Sequence, residues 1–294
     1  MLPGDGAPFV LGDPDGPPYS KGVMARSLVA AGVGIEPAYL LADRLGLELA
    51  ASAAQALEPD RLYEAACELL GEAEGSRVVV RLRRLEALGS LELPLVLLVG
   101  GGTGTGKSTV ATEAAHRLRI TRLTSTDFIR QTIRAYFPAA QIPSVHVSSF
   151  EADTGEGLEA GFIDQTRRVL VGVEAAIERA LTEGWSIAIE GVHLVPGLVP
   201  AEIDGALLVH AVLQVSDVDE HRSHFAVRDA HTGGLRPLQK YLDELDGIRR
   251  LQELIVDRAR TYGVPVLESG RTADTAGALV DLVLERCERA EALL

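Results

Sequence analysis

Cysteine, aromatic residues and positive charge are all in short supply in this chain of 294 residues, and each shortage excludes something. Cys67 and Cys287 lie far apart and have no partner at metal-ligand spacing, so neither a disulfide framework nor a zinc site is expected. Both read as buried apolar thiols. Aromatic residues make up 4% of a chain that is 47% hydrophobic, so its core must be built mainly from Leu, Val, Ala and Ile. Against 42 acidic residues stand only 28 Lys and Arg, a formal net charge of −14 that argues against a nucleic-acid partner. An anionic metabolite is compatible with that charge only through locally placed arginines and lysines. No apolar run reaches membrane-spanning length, and the N-terminus lacks the basic stretch and apolar core of a signal peptide. The expectation is a cytoplasmic chain with no membrane partner, long enough for one large domain or two ordinary ones.

What the chain does have is a phosphate-binding loop. Gly101-Gly102-Thr103-Gly104-Thr105-Gly106-Lys107-Ser108 fits G-x-x-x-x-G-K-[ST]. The apolar run Leu95–Val99 predicts a buried strand leading in, and Thr109–Ala115 a helix leading out. In that setting backbone N–H groups and a helix N-terminus face phosphate oxygens. Lys107 is expected to reach the β- and γ-phosphates, and the Ser108 hydroxyl to hold Mg²⁺.

Ahead of the loop, residues 1–20 are rich in Gly, Pro and Asp and suit a loop or a hairpin around Phe9-Val10-Leu11. Helices are expected over about 21–31, 36–52, 59–70 and 76–88, with Leu40, Leu41, Leu45 and Leu49 marking one buried face. Behind the loop, residues 120–124 predict a second strand, followed by a helix with Asp127 at its N-cap. Asp127 has a second reading, as the base that accepts a proton from an attacking hydroxyl. Arg130 and Arg134 share its helix face and suit an acceptor anion. Residues 138–157 read as an irregular loop, and residues 157–183 as one long helix. A third strand, Trp185–Glu190, ends in an acid, which is where a metal-holding carboxylate belongs. Glu190 is preferred to Asp217, which follows the fourth strand, Leu207–Val215, and can equally cap a helix. His193 is either a substrate ligand or a structural loop histidine. Residues 217–250 are dense in cations, with Gly233-Gly234 as a turn between two helices. Arg228 and Arg236 flank that turn as candidate lid arginines, the alternative being a solvated basic face. Val264–Leu267 supplies a fifth strand, Glu268–Arg271 a loop that can border an adenine, and 272–292 the closing helix.

Several of these stretches together resemble the 2-phosphoglycerate kinase family over nearly the whole chain. They are Tyr19-Ser20-Lys21-Gly22 with Ala25-Arg26-Ser27-Leu28, Gly101–Ser108 with Thr109, and Thr126-Asp127-x-x-Arg130. They continue in Glu190-Gly191-Val192-His193-Leu194-Val195-Pro196-Gly197, His221-Arg222-Ser223-His224-Phe225-x-x-Arg228, and Arg236-Pro237 with Lys240-Tyr241-Leu242. The resemblance implies an ATP-cone-like, mostly helical N-terminal module over 1–90. A P-loop kinase domain follows over 91–294, a parallel five-stranded α/β sheet with helices on both faces and a lid at about 217–250. It also implies phosphorylation of the 3-hydroxyl of 2-phosphoglycerate by ATP and Mg²⁺, giving 2,3-bisphosphoglycerate. Under that reading Lys107, Asp127, Glu190, Arg228 and Arg236 are catalytic, and Gly101 through Thr109 bind nucleotide. Asp127, Arg130, Arg134 and His193 bind the acceptor, and Ser108 and Glu190 the metal. Three rival readings stand beside it. One is a P-loop kinase for another anionic or sugar acceptor, and another a non-catalytic ATP sensor. The third takes the N-terminal helices as a mere cap or as the contact of a homo-oligomer. No Asn-Lys-x-Asp or Thr-Lys-x-Asp follows the core strands, which speaks against a GTPase.

Overall fold

Two compact units make up the chain: Met1–Glu92 together with Val283–Leu294, and Leu93–Leu282. The structure, a computed structural model, describes residues 18–52, 57–91, 93–153, 155–232 and 238–291. The expected hairpin around Phe9-Val10-Leu11, the Gly233-Gly234 turn and Arg236 lie outside the described residues. Among the described residues no helix is long and apolar enough to cross a membrane.

The first unit is built from helices α1 (Lys21–Ala30), α2 (Ile35–Ala51), α3 (Pro59–Leu70) and α4 (Glu72–Ser90). Ser20 caps α1, its side chain accepting from the Val23 N–H. Pro59 opens α3, where a missing N–H goes unneeded. α4 starts earlier than the expected position 76 and so places Glu72 and Glu74 in its first turn, next to the positive end of the helix dipole. Met24, Leu28, Leu41, Leu45, Leu62, Val78 and Leu82 close the core between these helices. Cys67 is half-buried and Cys287 buried, both as free thiols.

The second unit follows the order β1 (Leu95–Gly101), α5 (Lys107–Arg117), β2 (Arg122–Ser125) and α6 (Thr126–Tyr136). Two short 3-10 turns, Pro143–His146 and Ser149–Glu151, lead to α7 (Leu158–Thr182), β3 (Ile187–Glu190) and β4 (Leu207–Gln214). Helices α8 (Val218–Thr232), α9 (Leu238–Asp243) and α10 (Leu245–Thr261) precede β5 (Val266–Glu268) and α11 (Thr272–Glu291), whose residues from Val283 onward count with the first unit. The strands form one parallel sheet in the order β2-β3-β1-β4-β5. β1 is central and buried at every residue, as a strand covered on both faces must be. Val96 and Leu98 pack with Leu170, Val173 and Ile177 of α7. Strand alternation turns Leu97 and Val99 to the opposite face, and α5 lies along β1 and β3. The chain builds one side of β1 through β2 and β3, then the other through β4 and β5. The carboxyl end of β1 is therefore the switch point at which ligands of open α/β sheets bind.

Three expectations shift for identifiable reasons. β2 begins at Arg122 rather than residue 120, because the Ile120 N–H closes α5 by donating to the Ala115 carbonyl. β3 begins at Ile187, because the Trp185 N–H likewise closes α7 on Ala180 and the Ser186 hydroxyl accepts from the Leu95 N–H at 3.0 Å. Where two helices are expected across 217–250, the described residues there form α8, α9 and the start of α10, which runs on to Thr261.

Candidate active site

Parallel register brings the ends of three strands level: Ser125 of β2 pairs with Glu190 of β3, and Glu190 pairs with Val99 of β1. The glycine loop follows β1 and the Thr126-Asp127 pair follows β2, so Glu190 stands between the phosphate loop and Asp127. Its carboxylate accepts from the Ser108 hydroxyl at 2.9 Å. Lys107, the first residue of α5, is buried and donates to the Gly102 carbonyl at 2.5 Å. Burial pushes its pKa down, and the nearby carboxylates of Glu190 and Asp127 oppose that shift. Thr105 is fully buried and donates to the same Gly102 carbonyl at 3.0 Å. Ser269, in the loop after β5, lies against Gly106 and so borders the phosphate loop. Thr109 is exposed at the start of α5.

Asp127 is not the N-cap. Ser125 caps α6 by accepting from the Phe128 N–H at 3.1 Å, which leaves Asp127 exposed in the first turn. Among the described residues its carboxylate pairs with Arg130 at 3.4 Å. Arg130 is buried, and one arm of its guanidinium donates to the Val145 and Val147 carbonyls at 3.1 and 3.0 Å. It thus ties down the 143–147 turn while its other arm faces Asp127. Arg134 is half-buried and has no hydrogen bond or ion pair among the described residues.

His193 is fully buried, and both of its ring nitrogens are engaged by protein groups. Gln165 fixes the tautomer. Its amide nitrogen donates to the Ser144 and Val147 carbonyls, so its oxygen faces His193 Nε2 at 2.9 Å, and that nitrogen must carry the proton. Nδ1 then accepts from the Thr126 hydroxyl at 2.8 Å. Burial holds the ring neutral, well below the ordinary histidine range. Of the two readings for His193, the geometry matches the structural one: the ring bridges β3, α6 and α7 and presents no free nitrogen to a substrate. Gly191 belongs to the same device. At φ +152, with a Cβ that would lie 1.9 Å from the Thr126 hydroxyl, the position admits only glycine.

On the other side of the loop, Asp217 accepts from the Asp219 and Glu220 N–H groups at 2.8 Å each, which is the capping role open to it. Arg228 lies on α8 over the Tyr241 ring at 5.3 Å. Arg249 donates to the Val215 and Ser216 carbonyls and so braces the exit of β4.

No family model matches the chain. Curated relatives do. It is 35% identical over 273 residues to the 2-phosphoglycerate kinase of Methanothermobacter thermautotrophicus, covering 90% of this chain and 89% of the relative. It is 33% identical over 281 residues to that of Thermococcus kodakarensis, covering 92% and 94%. The protein of the same name from Pyrococcus furiosus is 32% identical over 276 residues, with 92% and 90% covered. The chain belongs to the 2-phosphoglycerate kinase family.

As a member of that family it is a kinase, a phosphotransferase with an alcohol group as acceptor. Against this identity some residues around the family's loop stand out as ones the sequence did not single out. Gln165 carries no motif signal in the middle of a long helix. Gln252 makes a two-way bond with the Val215 backbone at 3.1 and 3.0 Å, and it too sits mid-helix without a signal. His221 and His224, named in the sequence only as part of a motif of the family resemblance and with no role of their own, hydrogen-bond the phosphate loop itself. Their spacing of three on one helix was the signal available.

Proposed function

We propose that the chain transfers the γ-phosphoryl group of ATP to the 3-hydroxyl of 2-phosphoglycerate, giving 2,3-bisphosphoglycerate. The observation that carries the reading is the 2.9 Å contact of Ser108 with Glu190 at the mouth of the glycine loop. A hydroxyl and a carboxylate side by side, next to a buried lysine, form an oxygen donor set suited to a hard cation that keeps several waters and phosphate oxygens as further ligands. Ser108 and Glu190 would hold Mg²⁺ there, and a cation so held would supply neutralisation of the charge developing on the β- and γ-oxygens. The loop amides and Lys107 hold the phosphates. The depressed pKa of Lys107 is relieved when phosphate charge arrives beside it. Asp127, exposed two residues beyond Ser125, which is level with Glu190, takes the proton of the acceptor hydroxyl. Arg134 has no hydrogen bond or ion pair among the described residues and faces the acceptor's carboxylate or phosphate, together with the arm of Arg130 that otherwise meets Asp127. Arg228 serves from α8, and Arg236 takes the same lid role on the family resemblance alone. His193 acts as a positioning residue that holds Thr126, and with it Asp127, in place.

The relatives named 2-phosphoglycerate kinase favour this acceptor over a sugar or a protein. The test is acceptor-dependent ADP release by the purified protein with Mg²⁺ and ATP, offered 2-phosphoglycerate, 3-phosphoglycerate and glycerate. Release with 2-phosphoglycerate and formation of the bisphosphate are expected. ADP release with none of the three would overturn the reading in favour of a nucleotide sensor.

A further inference from the structure

Helix α8 packs directly on the phosphate loop. A Cβ on Gly104 (φ +86) would lie 2.5 Å from the Phe225 ring, so no side chain fits between loop and helix. One turn of α8 carries two histidines to the same stretch of loop. His221 Nε2 is 2.8 Å from the Thr103 carbonyl oxygen, and His224 Nδ1 is 2.9 Å from the Gly104 carbonyl oxygen. A carbonyl only accepts, so Nε2 of His221 and Nδ1 of His224 must each carry a proton. His221 is fully buried, stacks on Phe225 at 5.2 Å, and has Arg249 beside its other nitrogen at 3.5 Å. Phe225 stacks in turn on Tyr241, 5.0 Å away.

The consequence follows from peptide geometry. In a planar trans peptide the C=O and the following N–H point in opposite directions. Turning the Thr103 carbonyl towards α8 therefore turns the Gly104 N–H away from it. Fixing the Gly104 carbonyl does the same for the Thr105 N–H. These N–H groups belong to the loop whose amides cradle phosphate oxygens. We propose that His221 and His224 are positioning residues for phosphate binding: by holding two successive loop carbonyls, they aim the Gly104 and Thr105 amides at the nucleotide's phosphates. The pair acts through the backbone and touches no substrate. The inference rests on the nucleotide reading of the loop given above.

The two histidines use different nitrogens, and this gives the test its selectivity. A glutamine amide nitrogen reaches the position of histidine Nε2, and an asparagine amide nitrogen reaches that of Nδ1. His221→Gln and His224→Asn keep the bond, whereas His221→Asn and His224→Ala lose it. Calorimetric Kd values for ADP and for inorganic tripolyphosphate are measured on the full chain, with the thermal melt as a check on folding. The two losing variants should each weaken both ligands by about tenfold, the scale of one hydrogen bond. The two keeping variants should stay within about threefold of wild type. In turnover, the losing variants should raise KM for ATP and leave KM for the acceptor unchanged. Should His221→Asn fail to fold, the half-buried His224 pair carries the comparison alone. Folded losing variants that bind tripolyphosphate as tightly as wild type overturn the inference, as do equal effects on the KM of both substrates. If wild type binds neither ADP nor tripolyphosphate, the nucleotide reading itself fails, an outcome distinct from either.

Discussion

Asp127 and His210 show how differently two polar side chains depend on their surroundings. Asp127 is exposed and plays no capping role, because Ser125 holds that place. Asp127→Asn should therefore change stability by less than about 1 kcal/mol, the scale of a helix-dipole charge. If it receives the hydroxyl proton, kcat should fall by about 10²–10⁴-fold with the Kd for ADP unchanged. Single-turnover assays beside a binding titration check this, and an unchanged kcat would remove Asp127 from the chemistry. His210, on β4, donates from Nε2 to the Leu194 carbonyl at 3.3 Å, and burial depresses its pKa to about 4. His193 is shifted in the same direction by burial. Unfolding restores an ordinary histidine pKa near 6.5, so between pH 6.5 and 4 the unfolded chain binds more protons than the folded one. The stability from keeping these rings neutral is complete above pH 6.5 and is lost as pH falls towards 4. His210 alone contributes a slope of about 1.4 kcal/mol per pH unit in that window. Urea midpoints at pH 7 and pH 5 should show the fall, and His210→Leu should flatten it.

At the scale of elements, strands and helices were legible wherever one element owned its own signal. β1 is an unbroken apolar run because both its faces are covered, and α7 shows a helical stripe because one face meets the sheet. The 143–151 turns were legible only as irregular. What fixes them comes from elsewhere: Arg130 of α6 and Gln165 of α7 hold the carbonyls of residues 144, 145 and 147. The Glu-Gly-x-His string was legible as a motif, but its reason was not. Glu190 meets Ser108, Gly191 makes room for Thr126, and His193 locks Thr126 to Gln165. Gln165 is thus the link between the sheet edge and the acceptor-side turns. Gln165→Leu should leave the His193 Nε2–H and the Ser144 carbonyl unpaired in the interior. A loss of about 1–3 kcal/mol in denaturant unfolding is expected. The same variant should raise KM for the acceptor while KM for ATP holds, because the loosened elements are α6 and the 143–147 turn rather than the phosphate loop. A variant that lost stability but kept both KM values would make Gln165 a core residue only.

At the scale of the whole molecule, the chemistry proposed above draws only on the unit Leu93–Leu282, and the helical unit has no part in it. We propose that this helical unit is a regulatory nucleotide module, on its resemblance to an ATP-cone through Tyr19-Ser20-Lys21-Gly22 and Ala25-Arg26-Ser27-Leu28. Two cations on α1 bear on that proposal in different ways. Lys21 is paired with Asp43 at 2.5 Å, and any phosphate must compete with that carboxylate. Arg26 is exposed and has no hydrogen bond or ion pair among the described residues, so it offers its charge without such competition. An acidic chain with a formal net charge of −14 repels nucleotides overall, which makes such local cations decisive for any second site. Titration with ADP separates the possibilities by number. Two equivalents per chain are expected, falling to one in Lys107→Ala and, independently, to one in Arg26→Ala. A single equivalent that vanishes with Lys107→Ala and ignores Arg26→Ala would leave the helical unit as a cap or as the contact between copies. Sedimentation of the same samples would then decide between those two roles, since only the second predicts a mass that rises with concentration.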